Sequence, residues 1–342
     1  MKFKSHATTD NLLYRLALYL SPLYTPLTAH ALTVNGNVAL GGGGTSNETN
    51  VRVGTGTPNS QLSITNHTLN VSDFFRVGDG FGLGGSVIQT GGLVNYNQTI
   101  GGPGYNTSQF LLGHWNGGTN AASYSISAGE LRVNNAQTIV GWDGTGLLNV
   151  SGTGLVNLQT LTIQRANAPA GPSNLTVTGG TQNTTFLNMG AQRGAGAFMQ
   201  SGGVVNVTGG NGARIGHWGV GANSSYTMTG GQLNSTRIDL GWDGGNSSFN
   251  ASGTADINVS GPIVVQRSST LMLGGNADVD ITGNLVFGGG RGTGIGFIEG
   301  NATVDANQLY IQNESTLTLR GDSTTNVNYV VVGDGWGNNS LP

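Results

Sequence analysis

The sequence has no cysteine. That excludes a disulfide framework and a thiolate metal site, so stability must come from packing and hydrogen-bond ladders. Lysine is confined to Lys2 and Lys4, and charged residues make up only 8% of the 342 residues. Beyond residue 31 arginine is the sole strong cation, ten against fifteen Asp and Glu once Lys2, Lys4, Arg15 and Asp10 are set aside, a net charge of about −5. With no basic stripe to neutralise phosphates, no nucleic-acid partner is expected. Long apolar runs are missing, so no stretch is expected to cross a bilayer as a helix. The 3.6-residue period is absent after the first thirty residues, which removes helix as an organising element.

Gly, by contrast, numbers 61. It follows no every-third-residue rule, which excludes collagen, and it punctuates regular Val, Ile and Leu strands, which excludes a disordered tract. The stretch Val140-Gly141-Trp142-Asp143-Gly144 returns as Leu240-Gly241-Trp242-Asp243-Gly244. Looser copies of the opening occur at Gly78, Gly113, Gly216 and Gly333, and Phe287-Gly288 ends a comparable strand. Windows from Val140, Leu240 and Phe287 share one order of parts: a Gly-rich turn, a small-residue turn, an apolar segment ending in Gln (Gln164, Gln266, Gln312), and a strand ending in Gly. Each covers roughly 45 to 50 residues, or two coils of about 23.

Apolar residues alternate with Asn, Thr, Ser and Gln in short runs such as Val204-Val205-Asn206-Val207 and Val279-Asp280-Ile281. Alternation at that length means one buried and one wet face. A sandwich or propeller could use such strands. A fixed offset between equivalent residues favours a solenoid, in which like stacks on like. The expectation is an all-β, right-handed parallel β-helix, a single elongated domain of about 13 coils and some 60 Å. Gly78, Gly113, Gly141, Gly216, Gly241, Gly288 and Gly333 are its structural turn residues, where the bend needs positive φ or close backbone approach.

Three regions are expected. Residues 1–31 read as a secretory signal peptide, with Lys2 and Lys4, an apolar run from Leu12 to Leu20, and Ala29-His30-Ala31 as the cleavage site. Residues 32–74 are irregular N-terminal coils or a cap. Residues 75–342 form the repeat, with a loop around Gly101–Tyr105, and the sequence stops half way through a coil, as in a chain truncated at its C-terminus.

The pattern Val-Gly-Asp-Gly or Val-Gly-Trp-Asp-Gly, then apolar alternation, then Ser-Gly-Thr or Thr-Gly-Gly, then Val-Asn, resembles the strand repeat of type V secretion (autotransporter) passengers and PEP-CTERM exported proteins. It covers about Phe75 to the end. The resemblance implies export to the cell surface or outside of a Gram-negative bacterium, with membrane attachment only through a missing C-terminal region. Neither a translocating barrel nor a Pro-Glu-Pro tail follows Trp336.

Trp115, Trp142, Trp218, Trp242 and Trp336 each follow an anchor Gly, so in register they form a discontinuous row. Such rings either stack on sugars or cover the Gly-rich turns beneath them, and turn packing is the simpler account. His114 and His217 are read as polar turn residues, and Asp79, Asp143, Asp243 and Asp334 as caps for turn amides. No metal and no cofactor are expected. Asp278 and Asp280 share a strand face, as a carboxylate pair for glycoside cleavage would; Asp239 and Asp243 are a second pair. Neither pair is expected to have a neighbouring Arg, Lys or His, so an enzyme is not the favoured reading. The Asn-x-Ser/Thr triplets at Asn149, Asn174, Asn206 and Asn258 are ascribed to composition. The favoured function is a rigid surface rod for adhesion, self-association through its open end, or matrix contact; the alternative is a protein that binds or cleaves polysaccharide.

Overall fold

The computed structural model describes residues 30–79, 83–98, 109–114, 121–164, 173–191, 194–217, 223–243 and 246–333. These form an all-β parallel solenoid of about 11 turns, roughly 24 residues each, against the 13 coils expected. At about 4.8 Å per turn the rod is about 50 Å long. Part of the difference lies in lengthened turns: Val77 stacks on Leu112, a step from residue 77 to residue 112, where Leu240 stacks on Val265.

Every coil contributes to three stacks of parallel strands. One runs through Ala197, Ser225 and Ser248, a second through Asn206, Asn234 and Asn258, a third through Ile215, Leu240 and Val265. Strands alternate as the sequence requires. In Gly146–Val150, Leu148 and Val150 face the bore while Leu147 and Asn149 face outward. The bore is a single continuous cluster from Leu32 to Leu309. Phe198 and Tyr226 stack within it at 4.2 Å between ring centres, and Phe249 meets Tyr226 edge-on. Residues 32–74, expected as irregular N-terminal coils or a cap, carry strands in the same three stacks. The first described strand, His30–Val34, begins before the expected mature start and pairs with the strand Thr45–Val53.

Where a Gly-bearing coil is followed by a Gln-bearing one, the pairing has a steric cause; elsewhere, as at Gly190, Gly216 and Gly241, successive coils all carry Gly. The expected apolar-Gln strand is a strand followed by a Gln in the turn, and that Gln occupies the position held by Gly one coil away. Val140 stacks on Ile163, so Gly141 and Gln164 are equivalent; Leu240 on Val265 and Phe287 on Ile311 make the same pairing. A Cβ on Gly141 would overlap the Ser173 Oγ and come within 2.9 Å of the Gln164 Oε1. A Cβ on Gly241 would lie 2.5 Å from the Ser269 Oγ, and one on Gly288 would overlap the Ser315 Oγ. Each Gly therefore leaves room for a Gln and a Ser of the following coil.

Candidate functional site

The residue at the centre of each third-stack strand points outward, towards the turn that ends the strand. In register these residues are Asn188, Arg214, Asp239 and Val264. Polar side chains at such positions are covered by the turns, and two clusters result.

In the first, the Asp79 carboxylate lies 2.8 Å from His114 Nδ1, 3.5 Å from Arg76 Nη1 and 3.4 Å from Arg52 Nε. These partners hold its carboxyl below the usual range, although burial pulls the other way. Arg52 and Arg76 both lie over the Phe74 ring, and Trp142 meets His114 edge-on at 6.0 Å. The Asp79 carboxylate thus takes side-chain partners, and the turn amides that it was expected to cap lie in residues 80–82, outside the described residues.

The second cluster is larger. Asp239 is fully buried and accepts both carboxylate contacts from Arg237 Nε at 2.8 Å, with Arg214 Nε at 3.8 Å. Its carboxyl is raised, mainly by burial, against the lowering pull of the arginines. Arg291 pairs with Asp243. The sequence expectation that Asp239 and Asp243 lack neighbouring Arg or His is thereby overturned, because stacking delivers Arg214 and Arg291 from other coils. Trp242 lies between them: the guanidinium of Arg214, one coil earlier, is 4.3 Å from its ring centre, and that of Arg291, two coils later, is 4.5 Å. The ring is half-buried and engaged by the protein's own cations.

His217 completes this cluster. Arg214 Nη1 donates to its Nε2 at 2.8 Å, and an Arg can only donate, so Nε2 is the unprotonated nitrogen and Nδ1 donates to Asn188 Oδ1 at 3.0 Å. Burial, then the Arg214 charge, pushes its pKa down to about 4. Trp115, Trp218 and Trp336 lie outside the described residues, as do the loop around Gly101–Tyr105 and Asp334. Gly78, Gly113, Gly141, Gly216, Gly241, Gly288 and Gly333 all have φ between +70° and +119°.

A different surface runs along the second stack. There the outward Asn side chains form a ladder in which each Nδ2 donates to the Oδ1 one coil earlier. Asn183 donates to Asn157 at 2.7 Å, Asn206 to Asn183 at 2.7 Å, Asn234 to Asn206 at 2.8 Å and Asn258 to Asn234 at 3.2 Å. Two residues on from Asn183, Asn206, Asn234 and Asn258 stands a hydroxyl residue, which the strand alternation puts on the same face. Asn206, Asn234 and Asn258 with Thr208, Thr236 and Ser260 line an open groove of about 440 Å³, and Asp280 and Thr282 extend it by one coil. Of the Asn-x-Ser/Thr triplets ascribed to composition, those at Asn206 and Asn258 fall on this face, while Asn149 and Asn174 lie in the first stack.

Asp280 and Asp278 lie at the end of that groove, both exposed. Burial and the neighbouring charges of Asp278, Asp305 and Asp256 raise the Asp280 carboxyl. Among the described residues no group of three or more His, Asp and Glu is arranged to hold a metal ion. No helix among them is long and apolar enough to cross a membrane. Compared with known protein families, curated proteins and solved structures, the chain matches none.

Proposed function

We propose that the protein is an exported structural rod, whose sides serve adhesion, self-association or contact with an extracellular matrix. The observation that carries this reading is the parallel strand pairing that continues from His30–Val34 to Thr324–Val332 over one continuous core. A solenoid of this kind has large lateral surface for its mass, and neighbouring coils brace one another throughout. The signal-like start of the sequence supports export. The test is to delete the gene in its source and measure attachment and matrix cohesion while locating the protein by fractionation. Reduced attachment and a protein in the extracellular or surface fraction are expected; a cytoplasmic protein with unchanged attachment contradicts the reading.

A second reading, binding of a polysaccharide, has one specific observation behind it: the groove of repeated amide and hydroxyl pairs on the second stack. Periodic polymers suit periodic surfaces.

A further inference from the structure

We infer that the groove lined by Asn206, Asn234, Asn258, Thr208, Thr236 and Ser260 is a binding site for a neutral, hydroxyl-rich glycan chain lying along the rod axis. This deepens the polysaccharide reading and rests on it. The argument starts from hydrogen-bond capacity. Asn234 spends both Nδ2 hydrogens inside the protein, on Asn206 Oδ1 and Gln232 Oε1, and Asn258 spends its own on Asn234 Oδ1 and Asp256 Oδ1. The Asn206 and Asn234 amide oxygens each take one bond from the ladder, which leaves each a second lone pair. The ladder changes character at Asp280, in register with Asn258: a carboxylate cannot donate, so the ladder passes no hydrogen from Asp280 to the Asn258 oxygen. The hydroxyl of Thr236 donates to Gly209 O, and that of Thr208 to Thr184 O at 3.4 Å, which leaves their oxygens as acceptors too. The groove is therefore rich in acceptors and asks for a ligand that donates repeatedly.

Charge narrows the class. The carboxylates of Asp256, Asp278 and Asp305 lie at or beside one end around Asp280, whose carboxyl is raised by burial and by their charge. A uronic-acid polymer or a nucleic acid would bring more negative charge to a face that already repels it. A peptide alternates donors with carbonyl acceptors, and its carbonyls would face acceptors here. Sugar hydroxyls meet the demand, since each can donate. Geometry sets the direction: three successive coils repeat the Asn and hydroxyl pair at about 4.8 Å, and the next sets Asp280 and Thr282 in the same places. Ligand and protein then repeat along one axis.

The experiment is affinity electrophoresis and calorimetry of the purified chain with a soluble mixed-linkage β-glucan, a galactomannan and a xylan, with alginate and polygalacturonate as acidic comparators. Ser260→Arg fills the groove from an exposed position without touching the ladder, and Met199→Arg makes the same change on another face. Circular dichroism and the melting temperature verify that both variants stay folded. The expected result is binding to at least one neutral glycan, unchanged in Met199→Arg and weakened at least tenfold in Ser260→Arg. Binding that survives Ser260→Arg overturns the site while leaving the polysaccharide reading in place. Binding to the acidic polymers alone overturns the ligand class, and binding to none overturns both.

Discussion

Gly141 and Ser173 occupy one space: the Ser173 Oγ, which accepts a hydrogen bond from the Gly146 amide at 3.0 Å, sits where a Cβ of residue 141 would be. Gly141 also holds φ at +86°. Gly141→Ala is expected to cost about 2–4 kcal/mol, from left-handed strain together with overpacking. All three atoms nearest the added Cβ belong to the side chains of Ser173 and Gln164. Ser173→Gly in the same chain should therefore recover part of the loss, which urea melts of the single and double variants would show as a favourable coupling.

Within the bore, Tyr226 donates to Gln200 Oε1 at 2.5 Å, while Gln200 Nε2 donates to the Gln232 carbonyl at 2.9 Å. The arrangement recurs where Tyr124 donates to Gln89 at 2.6 Å and Gln89 donates to the Glu130 carbonyl at 2.9 Å. Tyr226→Phe keeps the ring and strands a buried acceptor, so a loss of about 1–3 kcal/mol is expected. Amide exchange should quicken first in coils adjoining residues 200 and 226. A variant as stable as the parent would show that this bond carries no weight.

Asp239 is a buried anion shared by two arginines. Asp239→Asn keeps the volume and removes the charge, leaving Arg237 and Arg214 to repel each other in a half-buried site. The expected cost is about 3 kcal/mol, as for breaking a buried ion pair. Adding Arg237→Gln should return part of it. Thermal unfolding of the set measures both.

Much of this was legible in the sequence, and the exceptions have a common cause. Gly141, Gly241 and Gly288 close equivalent strands, and Gln164, Gln266 and Gln312 take the same place one coil later, so the repeated pair of coils shows in the sequence. What no local window shows is convergence across coils. Arg214, Asp239 and Arg291 belong to different coils, and Arg291 lies in a Gly-rich segment with no periodic counterpart, so its approach to Trp242 follows only from stacking. The groove left a signal that was present and misassigned. Asn206, Asn234 and Asn258 each precede a hydroxyl residue by two, and a spacing of two on a strand means one face.

Acid should weaken the fold through His217. Its pKa is about 4 when folded and near 6.5 when unfolded, so below pH 6.5 the unfolded chain takes up a proton that the folded chain refuses until about pH 4. Stability is thus complete above pH 6.5 and falls across that window by on the order of 1–3 kcal/mol. The surrounding charges are Arg214, Arg291, Asp239 and Asp243. In His217→Gln the urea midpoint should change less between pH 7 and 4.5 than in the parent; an equal change would assign the acid sensitivity elsewhere, His67 being another buried His with a lowered pKa.

The central claim is that successive coils stack in register, and the absence of native cysteine allows a direct test. Ala197 pairs with Ser225 and Ser225 with Ser248, so residues 197 and 225 are one coil apart and 197 and 248 are two. Neighbouring strands lie about 4.8 Å apart, inside the Cα range a disulfide spans, and two coils exceed it. Mild oxidation of Ala197→Cys with Ser225→Cys should close a disulfide rapidly and without loss of structure, while Ala197→Cys with Ser248→Cys should stay reduced under the same conditions. Closure of the second pair in preference to the first would contradict the stacked register, and with it the rod and both surfaces built upon it.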